Sequence, residues 1–227
     1  MRPTLPVILS FNAGYVDTAG FLALQGLFTA HVTGNFVTFG AAVALGTTGA
    51  VAKLLALPVF CLVVIGTRYL AYGLEGTKLN PLRAMLVLKL LLLTAGAVLA
   101  IRLGPFSNGD AWPAIVTGMV LVSAMAIQNA VHRIHLASAP PTTLMTGTTT
   151  QIMIDLADLM HGVVPEAAAT ARARLARMSV AVIAFALGCG AAALTFILVR
   201  EWCFAVPPAV ALVSTLLSGP STPTTRQ

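Results

Sequence analysis

Charge is what this chain lacks most. Only 9% of its 227 residues are Asp, Glu, Lys or Arg, against roughly 25% in soluble domains. With 58% hydrophobic residues and a mean hydropathy of +0.92, that scarcity argues against a soluble domain and for an integral membrane protein. The net charge of +6 is not gathered into a basic stretch interleaved with aromatics, so no nucleic-acid partner is expected. The excess reads instead as a topology signal. Cysteine is also sparse. Cys61, Cys189 and Cys203 lie singly in apolar segments without ligand spacing, which suits apolar fillers rather than a metal site. A P-loop, a nucleotide fingerprint and a nucleophile motif are all missing, so neither an enzyme nor a bound cofactor is expected.

What the chain has in quantity is apolar length. Six segments, 5–28, 51–72, 83–103, 112–133, 176–199 and 202–219, are long enough to span about 30 Å of hydrocarbon. Arg2 precedes the first, as in a signal peptide. Asp17 interrupts that run and no small-x-small cleavage site follows, so it is read as a helix of the mature protein. Two further stretches, 33–48 and 146–160, are short for a span. Each opens on Thr-Gly, within His31-Val32-Thr33-Gly34-Asn35 and Thr143-Leu144-Met145-Thr146-Gly147-Thr148. Each also follows a polar residue set in an apolar segment: Asp17 stands 17 residues before Gly34, and Asn129 stands 18 before Gly147. A polar, glycine-broken stretch needs protein or water around it, because lipid satisfies no backbone group. Its occurrence twice predicts a repeated membrane fold with a polar centre.

Loop charges bear on whether the short helices cross. If they re-enter and the N-terminus is cytoplasmic, Arg2, Lys78, Arg83, Arg133, Arg172, Arg174, Arg177 and Arg226 lie inside, and Lys53, Arg102 and Arg200 outside. If they cross, the division is seven against four. The positive-inside rule favours re-entry, with Arg68 and Lys89 snorkelling toward inner ends and both termini cytoplasmic. The expected fold is therefore all-α and polytopic: about six transmembrane helices plus two short re-entrant or broken helices. Residues 1–219 form one transmembrane domain, with half-repeats 5–103 and 112–219. The repeat is inverted if the short helices re-enter and parallel if they cross. Residues 163–178, with Pro165 and Glu166 early and three arginines late, suit an interfacial helix. The Pro/Ser/Thr-rich stretch 220–227 is expected to be a disordered tail.

Candidate chemistry sits on the buried polar residues. An ionised Asp17 at mid-span costs roughly 2.5–3.5 kcal/mol on insertion scales, so it needs a partner. It reads equally as a proton or cation site and as a cap for a neighbouring turn. Helix starts at Gly34 and Gly147 present unpaired N–H groups that attract anions, with Thr33, Asn35, Thr146 and Thr148 beside them; tight packing at a turn is the plainer reading. Gln128 and Asn129 suit interhelical fastening or solute binding. His31 adjoins the first Thr-Gly and is able to titrate, although an interfacial histidine with no special role is the plainer reading. Asp155, Asp158 and His161 span too wide an arc of helix for a metal site, and none is expected. Ala19 and Ala23, Gly40 and Ala44, and Gly188 and Ala192 mark close-packing faces.

Phe11 to Gly20 (FNAGYVDTAG), Phe28 to Asn35 (FTAHVTGN), Gln128-Asn129-Ala130 and Thr143 to Gly147 (TLMTG) resemble the YoaK-like family of bacterial inner-membrane proteins, which carry a domain of unknown function. The resemblance covers nearly the whole chain. It implies about six transmembrane helices and a cytoplasmic-membrane location, and it supplies no substrate. That family often has Asn after the second Thr-Gly, where this chain has Thr148. Together these readings predict a small transporter or channel for a small polar solute or anion, in a proton-coupled version with Asp17 titrating. Asp17, His31, Thr33, Gly34, Asn35, Gln128, Asn129, Thr146, Gly147 and Thr148 are the expected site. The alternative is a non-transporting membrane scaffold or regulator. The expected partners are the lipid bilayer and the solute, and the sequence permits a homodimer.

Overall fold

Long apolar runs in lipid have to satisfy their own backbone, and a helix does so within one segment. The computed structural model describes residues 5–162 and 164–218, and its regular structure is all helical. Helix α1 spans Leu5–Ala23 and stops where Gln25 and Gly26 take left-handed φ values of 55° and 82°. The chain then doubles back into a 3₁₀ turn, Val32–Gly34, and into α2, Asn35–Leu45. Gly46, at φ 64°, ends α2, and α3 follows at Ala50–Leu74. Helix α4, Pro81–Leu103, starts at an Asn80 cap whose side chain accepts from the Arg83 N–H. Helix α5 spans Trp112–His135 and α6 spans Met145–His161. Helix α7 spans Pro165–Val199, and a 3₁₀ segment, Arg200–Ala205, leads into α8, Val206–Leu217.

Four helical stretches are long and apolar enough to cross a bilayer: Ala50–Leu74, Pro81–Leu103, Trp112–His135 and Pro165–Leu217. Val32–Leu45 is a shorter apolar stretch. These helices mark a membrane protein. Two expectations are corrected here. The arginine-bearing segment 163–178 is not a separate interfacial helix; its described residues open α7, which runs unbroken for 35 residues. Alanine and arginine are strong helix formers, and no Gly or Pro interrupts them between Pro165 and Gly188. At 1.5 Å per residue α7 is about 52 Å long, well beyond the thickness of the hydrocarbon. Lys89 does not snorkel either: its side chain is fully buried between helices. The expected tail 220–227, with Arg2 and Arg226, lies outside the described residues.

The helices pair in a regular way. Helix α1 packs on α7 as α5 packs on α3, α2 lies on α3 as α6 lies on α7, and α4 meets α5 as α8 meets α1. The α1–α7 contact is backbone to backbone. A Cβ added at Gly14 would fall 2.1 Å from the Phe185 carbonyl oxygen, and one at Gly188 would fall 2.1 Å from that of Phe11. The main apolar core is filled by Tyr15, Val16, Leu24, Leu27, Leu93, Leu121, Met125 and Phe204 among others.

Lys53 shows where α2 leads. Its Nζ donates to the carbonyls of Gln25, just past α1 (2.7 Å), and of Thr48, just past α2 (3.4 Å). Asp110, just before α5, accepts from the backbone N–H groups of Gly49 and Val51 at 2.8 Å each. Thus α1 and α2 both finish at the end of the molecule where α3 and α5 begin.

Candidate functional site

Between α1 and α2 the returning chain brings three consecutive residues against Asp17. The Thr29 and Ala30 N–H groups donate to its Oδ1 at 2.8 and 2.7 Å. His31 Nδ1 lies 2.7 Å from its Oδ2. The carboxyl is buried, and charge-assisted bonds of this kind are about twice as strong as neutral ones. Asp17 therefore organises the turn that carries the first Thr-Gly. Asn35 closes the same turn: its amide donates to the Phe28 carbonyl (2.8 Å) and accepts from the Phe28 N–H (2.9 Å). The Gly34 N–H donates back to the His31 carbonyl at 2.8 Å.

The second half is built alike with weaker groups. Asn129 Oδ1 accepts from the Thr143 hydroxyl at 2.7 Å, and its Nδ2 donates to the Met125 carbonyl at 3.0 Å. Gln128, beside it, is fully buried; its Nε2 donates to the Leu9 carbonyl (2.9 Å) and to Thr142 Oγ1 (3.1 Å). Its Oε1 accepts from Lys89 Nζ at 2.5 Å. Asp17 and Asn129 thus each fasten the chain that returns toward a short helix.

Two cavities flank the first turn. One, of about 560 Å³, is lined by Asp17, Thr18, Phe28, His31, Thr33, Gly34 and Phe185 among others, on the side facing α7. The other, of about 420 Å³, lies toward α3 and α5 and includes His31, Thr33, Phe60, Arg68, Asn129, Arg133 and Leu144 in its lining. His31 and Thr33 belong to both. The His31 ring stands edge-on to Phe185, with centroids 5.4 Å apart, so its plane is held on two sides.

The residues expected to share a site divide into groups. Asp17, His31, Thr33 and Gly34 come together at the first cavity; His31, Thr33 and Asn129 meet at the second. Asn35 and Gln128 lie behind the cavity walls as fasteners. The second Thr-Gly faces elsewhere. Thr146 lines a separate groove along α6 with Thr149 and Thr150, Gly147 has open space beside it, and buried Thr148 donates to the Leu144 carbonyl. On the same helix Asp155 is fully buried and accepts from Arg174 Nε and Nη2 of α7, at 2.8 and 2.5 Å. That guanidinium holds the Asp155 carboxyl below the usual carboxylate range, with Gln151 adding to the effect.

Sequence reasoning missed Arg68 and Arg133 on a cavity and Lys89 in the core. A lysine within a run as apolar as 84–101 is itself a signal, because intramembrane charges are retained where they have partners. For Arg68 and Arg133, position near a helix end looks the same whether a side chain faces headgroups or a cavity.

No curated protein and no solved structure matches the chain. A family described as "Protein of unknown function (DUF1275)" matches residues 5–217, from the start of α1 to the end of α8. The protein belongs to the DUF1275 family.

Proposed function

We propose that this protein is a small, non-enzymatic transporter or channel of the bacterial inner membrane that passes a small polar solute or anion. One observation carries the reading: two cavities lie on either side of a single turn, and His31 and Thr33 are common to both. A solute moving between them passes those two residues, and the His31–Asp17 pair beside them is the proton-carrying unit of a coupled cycle. An inverted repeat is part of this reading. Helix α1 ends where α5 begins, the packing pairs interchange between the halves, and α2 returns to the end from which the chain came. Residues 5–103 and 112–219 are then the two halves of one transmembrane domain, a design in which solute sites lie at the repeat interface. The YoaK-like motifs in Phe11–Gly20 and Phe28–Asn35 supply the turn and the acid that holds it.

A second reading, a scaffold or regulator without transport, draws on Asp17 itself: both of its oxygens are engaged by the turn, as a purely structural residue's would be. Thiol labelling separates the two. In a background with Cys61, Cys189 and Cys203 replaced by alanine, Thr33→Cys in sealed vesicles should react with a membrane-impermeant thiol reagent added on either side. Protection from both sides would overturn the transport reading and leave the scaffold.

A further inference from the structure

The cavity between the first turn and helices α3 and α5 carries two cations that the turn does not use. Arg68, on α3, and Arg133, on α5, both line it, although they are 65 residues apart in sequence. Among the described residues, neither forms an ion pair; the two pairs present are His31–Asp17 and Arg174–Asp155. No Asp or Glu lines the cavity. The Arg68 guanidinium is placed by the Tyr72 ring, 4.2 Å below it. Both side chains are exposed, and no acid offsets them there, so the hollow carries uncompensated positive charge at its rim. An anion offsets that charge, and a carboxylate matches the planar fork of arginine.

The walls narrow the class further. Leu57, Phe60, Val64, Ile134 and Leu144 give the hollow an apolar lining, and its volume of about 420 Å³ is in the range of small-molecule sites. An inorganic anion would leave that lining wet, whereas an anion with an apolar body fills it. We infer that this cavity binds a small organic monocarboxylate, with Arg68 and Arg133 taking the charged group and the apolar wall taking its body. The inference rests on the transport reading above and names its substrate class.

Calorimetric titration of the purified full-length chain in nanodiscs tests it, with benzoate as the probe, benzyl alcohol as its neutral counterpart and chloride as an inorganic anion. Benzoate should bind saturably at one site per chain, at least tenfold more tightly than either comparison compound. The double variant Arg68→Gln/Arg133→Gln, with an unchanged melting temperature in the absence of probe, should lose at least tenfold in benzoate affinity. Lys78→Gln and Arg83→Gln, which remove charge where α3 hands over to α4 but lie off this cavity, should stay within twofold of the parent. Equal binding of benzoate and benzyl alcohol, absence of benzoate binding, or full binding by the double variant would each overturn the inference. A double variant that fails to fold is replaced by the single substitutions, each expected to lose at least threefold; parental affinity in both overturns it equally. The two readings fail separately. Two-sided labelling of Thr33→Cys without benzoate binding defeats the anion class alone, while protection of Thr33→Cys from both sides defeats transport whatever benzoate does.

Discussion

Removing the Asp17 carboxylate gives the sharpest perturbation of this fold. Its Oδ1 takes two short backbone bonds, from Thr29 at 2.8 Å and Ala30 at 2.7 Å, and the residue is 4% exposed. Asp17→Ala leaves both N–H groups buried with no acceptor, at about 1–3 kcal/mol each, so the expected loss is about 2–6 kcal/mol. Asp17→Asn keeps an oxygen for both backbone donors, but it loses the charge and turns Oδ2, the partner of His31 Nδ1, into an NH2 group. Hydrogen bonds to charged groups exceed neutral ones by about 1 kcal/mol, so about 2 kcal/mol should go over two bonds. Set against a typical native stability of about 5–15 kcal/mol, the alanine variant should be severely weakened and the asparagine variant only moderately. Unfolding of the purified protein in mixed micelles measures both losses. Hydrogen exchange at the Thr29 and Ala30 amides localises them, with exchange fastest in the alanine variant and intermediate in the asparagine variant. An Asp17→Ala protein within about 0.5 kcal/mol of the parent, with those amides still protected, would refute the claim that this carboxylate holds the turn.

Two further outcomes follow from the packing. Gly14→Ala drives a methyl into the Phe185 carbonyl oxygen, and backbone cannot rotate away, so about 1–3 kcal/mol should be lost to overpacking. Gly190→Ala, with nothing within 4 Å, should be neutral or gain up to about 1 kcal/mol of helix propensity; equal melting temperatures for the two variants would contradict the α1–α7 contact. The Asp155–Arg174 pair should appear in the pH dependence of stability. Because the folded carboxyl titrates below its unfolded value of about 3.9, its contribution is present above that pH and is lost as pH falls through the lower folded value. The melting-temperature gap between the parent and Asp155→Asn should be flat from about pH 8 to pH 5 and narrow from about pH 4 downward. A gap independent of pH between about 2 and 6 would show that the pair is not what Asp155 contributes.

Much of the architecture was legible because it is local. Apolar run length marked where α1, α3, α4, α5, α7 and α8 lie, although α8, with 12 residues, is shorter than the span expected at 202–219, and the two Thr-Gly pairs marked the short helices. The shortened end of α1 was less visible, since it turns on Gln25, a residue with no strong preference for the left-handed conformation it adopts. The expected independence of segment 163–178 failed for a different reason. Charge composition marks where a helix leaves hydrocarbon, not where its hydrogen bonding stops, so polar residues extended α7 rather than ending it. The candidate site was half legible. Asp17 and His31 were expected near the first turn, and they bond to each other there.

Taken alone, the chain determined its own class: too little charge for water, enough apolar length for lipid, and two polar interruptions that require protein around them. Those are properties of neighbouring residues, so a linear reading reaches them. Only the tertiary structure decided partners. It set Lys89 on Gln128, 39 residues away, put Asp17 on the amides of a returning strand of chain, and brought Arg68 and Arg133 to one hollow while turning the second Thr-Gly out of it. Each of those pairings depends on how distant helices cross, and helix crossing is set by close backbone approaches such as Gly14 on Phe185 and Gly188 on Phe11; the spacing of Gly188 and Ala192 marked a packing face, but no local pattern names the helix that packs on it.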